Sequence, residues 1–228
     1  MLHVGVGRRN AQNVGSAGAG VVAGLKPVAW YRLGLGITIA TGVSRWADQS
    51  GNGNHQVQAT GTLQPLLQAD KSILFDGSDD FLQATFTWNQ PATQYMLVQQ
   101  VTWTGAGNRL TAGTVASSDV FQRVASPTIG MTAGTNLATD ANLIVGFYGV
   151  VAAVFNGNSS VFQVNNNAPT TGAAGAGNAG GLTIGASNAG ASPTNIKIKE
   201  AICYAGAHDA ATRRTIINYL AGVGNITV

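Results

Sequence analysis

Apolar residues in this chain come in short runs broken by turn formers. From Pro27 onward, stretches rich in Val, Ile, Phe, Tyr and Thr alternate with clusters of Gly, Asn, Asp and Ser. That is the rhythm of strands and tight connections. The pattern predicts strands at 28–33, 37–40, 72–76, 80–86, 94–103, 119–124, 128–132, 143–155, 159–165, 181–186 and 196–204. Many short strands with frequent turn signals imply an all-β fold, a two-sheet antiparallel jelly-roll sandwich. Asn156-Gly157, set between two apolar runs, predicts a hairpin turn.

The two ends read differently. After His208, Asp209 can cap a first helical turn, Ile216, Ile217 and Leu220 form one apolar stripe, and Gly222 stands where a helix would end. A C-terminal helix closing an edge or end of the sandwich is predicted. Residues 1–26 contain few large apolar groups, and the run from Asn13 to Gly24 is mostly Gly, Ala, Ser and Val. Alone it would be flexible. The chain therefore divides into a Gly/Ala-rich N-terminal arm, 1–26, and a sandwich domain, 27–228. The arm is expected to be extended and to lie on a neighbouring subunit, with Arg8 and Arg9 reaching carbonyl or acidic groups there; the alternative is that it packs on its own sandwich.

Composition narrows the partners. Only 9% of the 228 residues are charged, against about 25% in an average soluble domain. A weakly charged surface offers little mutual repulsion and suits a subunit packed in an assembly. The net charge of +3 comes from twelve cations spread along the chain, adjacent only at Arg8-Arg9 and Arg213-Arg214. No basic stripe interleaved with aromatics exists, so nucleic acid is not an expected partner. No apolar run approaches the ~18 residues of a membrane span, and no apolar leader of the secretory kind stands at the N-terminus. Cys203, the single cysteine, sits in an apolar run and is read as a packing residue.

Catalytic constellations are sparse. Glycoside hydrolysis needs two carboxyl groups flanking the bond, and the chain has one glutamate, Glu200. Asp79 and Asp80, if extended, would point to opposite faces. The histidines, His3, His55 and His208, are scattered, and neither a nucleophile elbow nor zinc-ligand spacing appears. Asp48, Ser50, Asn52 and Asn54 place oxygens at alternating positions, as a hard-cation loop would. Those same residue types build tight turns by bonding their own backbone, and the turn is the preferred reading. Asp76, Asp79 and Asp80 form the densest acidic cluster. A turn is again expected there, with calcium as the one candidate ion. Glu200 shares strand parity with Ile196, Ile198, Ile202 and Tyr204, which puts a carboxylate on an apolar face. It must therefore find a partner, such as Arg32, Arg45 or main-chain N–H groups. Trp88 and Trp103 are the candidate rings for stacking on a sugar, with core or rim packing the default reading for each.

Two segments carry a family resemblance: residues 43–55, Val43-Ser44-Arg45-Trp46-Ala47-Asp48 through His55, and Ile73-Leu74-Phe75-Asp76-Gly77 through Leu82. Preceded by Val28-Ala29-Trp30-Tyr31, they resemble the opening of LamG-like (concanavalin A/laminin G type) jelly-roll domains of phage and bacterial surface proteins. Ala153 to Gly157 with Phe162 to Asn165, then Leu182 to Gly185, then Glu200 to Tyr204 are similar to that family's later strands. The resemblance spans roughly 27–225 and implies the sandwich. It implies less about function, because such folds host lectins, hydrolases and structural modules alike.

The expectation is a non-enzymatic structural or binding protein. The favoured form is a phage virion component, a capsid decoration or a tail or fibre protein, whose partners are other virion subunits or copies of itself. The alternative is a bacterial carbohydrate-binding lectin or adhesin module, secreted or at the cell surface, with cell-surface glycan as partner. No membrane partner and no cofactor beyond the candidate calcium are expected.

Overall fold

The computed structural model describes residues 11–115, 118–137 and 141–228, with side chains from residue 18 onward. A helix, α1 (Ala11–Gly24), precedes the strands β1 (Ala29–Tyr31), β2 (Ile37–Ile39), β3 (Val43–Trp46), β4 (Gln56–Val57) and β5 (Leu66–Leu67). There follow β6 (Ile73–Asp76), β7 (Leu82–Thr85), β8 (Ala92–Gln100), β9 (Arg109–Ala112), β10 (Asp119–Gln122) and β11 (Ile129–Thr132). The last strands are β12 (Tyr148–Phe155), β13 (Ser160–Val164), β14 (Thr170–Gly172), β15 (Gly181–Ile184) and β16 (Asn195–Ala205), before helix α2 (Ala210–Gly224).

Two antiparallel sheets of eight strands form a sandwich. One runs β14-β13-β12-β8-β16-β6-β5, with β1 also paired to β16; the other runs β11-β10-β9-β15-β7-β4-β3-β2. The all-β, two-sheet expectation holds, with the C-terminal helix in place. Short strands such as β4 and β5, two residues each, escaped the sequence reading because they are too brief to show alternation. At Asn156-Gly157 the connection is a single 3-10 turn, Gly157–Ser159.

The apolar groups form two layers. The inner core, between the sheets, holds Tyr31, Trp46, Phe75, Met96, Phe155, Ile196 and Ile198 among others. The outer layer lies on the far face of the first sheet and packs Trp30, Tyr95, Leu97, Ile202 and Tyr204 against Ile216, Ile217 and Leu220 of α2. Fully burying each such aliphatic side chain is worth about 1.5–3 kcal/mol. Asp209 caps α2 by accepting from Thr212 N at 2.8 Å. Strands β8 and β12, and β16 from Glu200 to Tyr204, are therefore buried on both faces, and β12 reads as a continuous apolar run.

Strand β16 carries an irregularity that decides which side chains reach which layer. Ile198 pairs with Val98, and Glu200 pairs with Leu97, so the register slips at Lys199. The inserted residue is a β-bulge. Ile196 and Ile198 face the inner core, whereas Glu200, Ile202 and Tyr204 face α2. The common parity expected from the sequence is thus broken within the strand.

Polar groups also bridge the sheets from inside. Gln94 on β8 donates to Thr111 Oγ1 on β9 at 3.0 Å, and Gln122 on β10 donates to Gln100 Oε1 on β8 at 2.8 Å. Gln100 in turn donates to Leu143 O at 2.6 Å.

The extended arm is corrected over its described part: Ala11–Gly24 is helical. Its C-terminal end docks on its own domain. Val22 is fully buried in the outer layer. Gly18 lies flush on Tyr219, where a Cβ would come within 2.6 Å of the ring. Small residues that suggest flexibility in a sequence here permit close helix packing. Arg8 and Arg9 lie outside the described residues.

Val22→Ala should lower the unfolding free energy by about 2 kcal/mol, from lost burial and the space left behind, measured by chemical denaturation. The Cys203 thiol is fully buried, and burial pushes its pKa well up. It should resist a thiol reagent in the native protein and react at once in denaturant; fast native labelling would contradict that placement.

Candidate functional site

Glu200 sits at the centre of a clamp between the first sheet and α2. Strand β1 pairs Trp30 with Ile202, which turns the indole toward the helix. Trp30 Nε1 donates to Glu200 Oε1 at 2.6 Å, and Tyr219 OH from α2 donates to the same oxygen at 2.7 Å. The Arg32 guanidinium lies over the Trp30 ring, 4.5 Å from its centroid. Burial raises the Glu200 pKa, while the Tyr219 and Trp30 hydrogen bonds, the Arg32 charge and the Leu33 N–H pull it back. Of the expected partners, Arg32 and a main-chain N–H act on Glu200. The carboxylate is 1% exposed, which keeps it from any ligand in solvent and makes its role structural.

The Asp48 loop is a turn built around one carboxylate. Oδ1 accepts from Trp30 N and Ser50 N at 2.8 Å each, and Oδ2 from Ser50 Oγ at 2.7 Å and Asn54 N at 3.0 Å. Asn54 donates to Val28 O at 2.7 Å, tying the turn to the start of β1. With its acceptor positions filled from the chain itself, Asp48 has none left for a cation.

Asp76, Asp79 and Asp80 converge, with carboxylate oxygens within 4.8 Å of one another. The segment is a bend between β6 and β7 and not a strand, so the opposite-face placement of an extended chain does not apply to Asp79 and Asp80. Asp80 Oδ2 accepts from Asp76 N at 3.0 Å, and Asp76 Oδ1 from Ser78 N at 2.8 Å. Burial, reinforced by the Asp76 and Asp79 charges, pushes the Asp80 pKa to about 6 against one opposing N–H bond. Among the described residues, these three acids are the cluster that could hold a hard cation. Calcium takes six to eight oxygens, so most of a shell would have to come from water or main-chain carbonyls.

The candidate rings part company. Trp88 is 2% exposed, donates to Tyr204 O at 2.9 Å and packs near Phe86 and Phe155. Its ring is unavailable to a sugar, which corrects the expectation for Trp88. Trp103 is half-buried in the loop between β8 and β9.

Two surface clefts were not foreseen. One, of about 410 Å³, lies between the end of α1 and the Asp48 loop, lined by Lys26, Trp30, Gln49 and Asn52. The other, of about 420 Å³, is lined by Leu143, Ile144, Phe147, Tyr148, Asn165 and Asn167. Phe147 was hidden inside a predicted strand, 143–155. The one warning in the sequence is Gly146, whose φ of +86° ends extended structure just before it.

No protein-family model matches the sequence, and no curated protein matches it. Solved structures share its fold. A sialidase from Trypanosoma rangeli superposes with TM-score 0.65 at 9% identity, over 96% of this chain and 39% of the sialidase. The chain thus spans about two fifths of that enzyme's length. Domain 4 of AbnA, a GH43 extracellular arabinanase from Geobacillus stearothermophilus, in complex with arabinotriose, superposes with TM-score 0.64 at 11% identity, over 84% of this chain and 98% of that domain. An arabinofuranosidase complexed with arabinofuranosyl-alpha-1,2-xylobiose gives 0.57 at 13% identity, over 80% of this chain and 51% of that one. At these identities the likeness is one of fold: a β-sandwich of the kind found in glycosidase domains.

Because its folded pKa is raised, Glu200 holds its proton more tightly folded than unfolded. Its contribution to stability is greatest in acid and declines as pH rises through the folded pKa. Glu200→Gln keeps an acceptor for Trp30 and Tyr219 and should flatten this decline relative to wild type. Glu200→Ala leaves two buried donors unpaired and should cost about 1–3 kcal/mol for each. Denaturant titrations across acid to neutral pH check both; an unchanged slope in Glu200→Gln would show that the carboxylate does not titrate in that range.

Proposed function

We propose that this chain is a non-catalytic glycan-recognition module built on a lectin-like sandwich. The observation that carries the reading is the likeness to a whole arabinanase domain whose structure holds arabinotriose. The match takes in 98% of that domain and 84% of this chain. The two other relatives described above also act on or hold sugars according to their names.

Among the described residues, every acid but the exposed Asp79 is held by its own chain, which supports a binding rather than a hydrolytic role. Asp48, Asp76, Asp80 and Asp209 accept main-chain N–H groups, Asp119 pairs with Arg109 at 2.7 Å, and Asp70 bonds Ser72 and lies 3.4 Å from Lys199. Glu200 is sealed under α2. Glycoside hydrolysis needs two carboxyl groups facing each other across an accessible bond. Neither cleft has an Asp or Glu in its lining.

A second reading, a phage virion subunit, is favoured by the 9% charged composition and by Ile39 on edge strand β2 and Leu66 on edge strand β5, each 52% exposed. Both suit a molecule packed against neighbours. The two readings are compatible, since a particle can display a glycan-binding subunit.

The purified protein applied to a glycan array should bind a restricted set of sugars and release no reducing ends from them. Reducing-end release abolished by Glu200→Gln, or by Asp80→Asn, would overturn the non-catalytic reading. Failure to bind any arrayed glycan would overturn the recognition reading.

A further inference from the structure

The Phe147 cleft differs from the rest of the surface in one respect. Phe147 is 69% exposed, while every other Phe, Tyr and Trp side chain is buried or half-buried. A phenyl ring left in water forgoes about 1.5–3 kcal/mol of burial. This one stands at the mouth of a cleft of about 420 Å³, beside Ile144, itself 53% exposed. The cleft lies where the chain enters β12 and leaves β13, at the hairpin end away from the Gly157–Ser159 turn.

Its walls are held in place. Asn165 has φ +56°, and its Oδ1 accepts from Val150 N at 2.8 Å, which fixes the carboxamide plane. Its Nδ2 has no hydrogen-bond partner among the described residues. The Asn167 side chain is likewise unpartnered and exposed. Tyr148 is anchored from two sides: its hydroxyl donates to Asp70 at 3.3 Å, and Lys199 Nζ lies 4.3 Å from its ring centroid. The floor is close-packed: a Cβ on Gly149 would come within 2.7 Å of Leu143 Cδ1. The volume falls in the ~300–1,000 Å³ range of small-molecule sites.

The chemistry selects the ligand. No Asp, Glu, Lys or Arg lines the cleft, so neither an anionic nor a cationic group would find compensation for its desolvation there. Carboxamides donate and accept at once, which suits the paired hydroxyls of a sugar ring, and an open aromatic face suits that ring's C–H side. We infer that this cleft is a binding subsite for a neutral sugar ring stacked on Phe147, with hydroxyls bonded by Asn165 and Asn167. The inference rests on the glycan-recognition reading and gives it a location.

The test uses the full chain as wild type, Phe147→Ala, Asn167→Ala and Trp103→Ala. Thermal unfolding confirms that each folds, and each is read on an array of neutral and acidic glycans, then by calorimetry with the best neutral oligosaccharide. Phe147→Ala should weaken binding at least tenfold and Asn167→Ala several-fold, with Trp103→Ala unchanged. Retained binding in Phe147→Ala with loss in Trp103→Ala would overturn the cleft assignment and leave the recognition reading standing. Exclusive binding of acidic glycans would also overturn it. If wild type binds no glycan but selects apolar peptides through Phe147, both readings fall.

Discussion

Between Ile198 and Glu200 the pairing of β16 with β8 slips by one residue, and much of the molecule follows from that slip. Strand β16 is the hub of the first sheet, paired to β8 along one edge and to β6 and β1 along the other. Before the bulge its apolar residues fill the space between the sheets. After it, Ala201 and Cys203 take over that duty, and Glu200, Ile202 and Tyr204 turn to meet α2. Without the inserted residue, the carboxylate would enter the inner core, where neither the Trp30 indole nor the Tyr219 hydroxyl could reach it. The bulge lets one strand serve two packing layers and gives Glu200 its two donors.

Much of this was legible in the sequence where alternation or capping was clean. Asp209, Ile216, Ile217 and Leu220 mark α2, and the opening Trp30 and Trp46 motifs mark core strands. The bulge was illegible because Ile196, Ile198, Glu200, Ile202 and Tyr204 share sequence parity, and nothing local announces that Lys199 is the extra residue. The helical state of α1 was hidden for a different reason. Glycine disfavours helix in isolation, and only the contact of Gly18 with Tyr219, two hundred residues away in sequence, shows what the small residue permits.

The candidate site was less legible than the fold. Trp88 stands between Thr87 and Asn89 while Phe147 lies in an apolar run, and neither setting tells that the first is sealed and the second open. Trp88 packs near Phe86 and Phe155, with its indole N–H bonded to Tyr204 O. Phe147 sits where Gly146 lifts the chain off the strand before β12 begins. Exposure is a property of the three-dimensional crossing of segments, and a single sequence records only the segments. The Asp48 turn was better foretold, because its hydrogen bonds are largely local and the residue types that make them are specific to turns.

The carboxamide bridges inside the sandwich carry a consequence for how the two sheets find each other. Apolar faces alone attract without choosing a seat, and one sheet could slide over another with little change in buried area. Gln94 against Thr111, and Gln100 against Gln122, convert that sliding coordinate into a latch. A displaced arrangement would strand several amides in a dry interior, at about 1–3 kcal/mol for each unpaired group. Because these groups are neutral, neither acid nor added salt acts on the latch itself, so the seating of one sheet on the other is independent of the ionic surroundings.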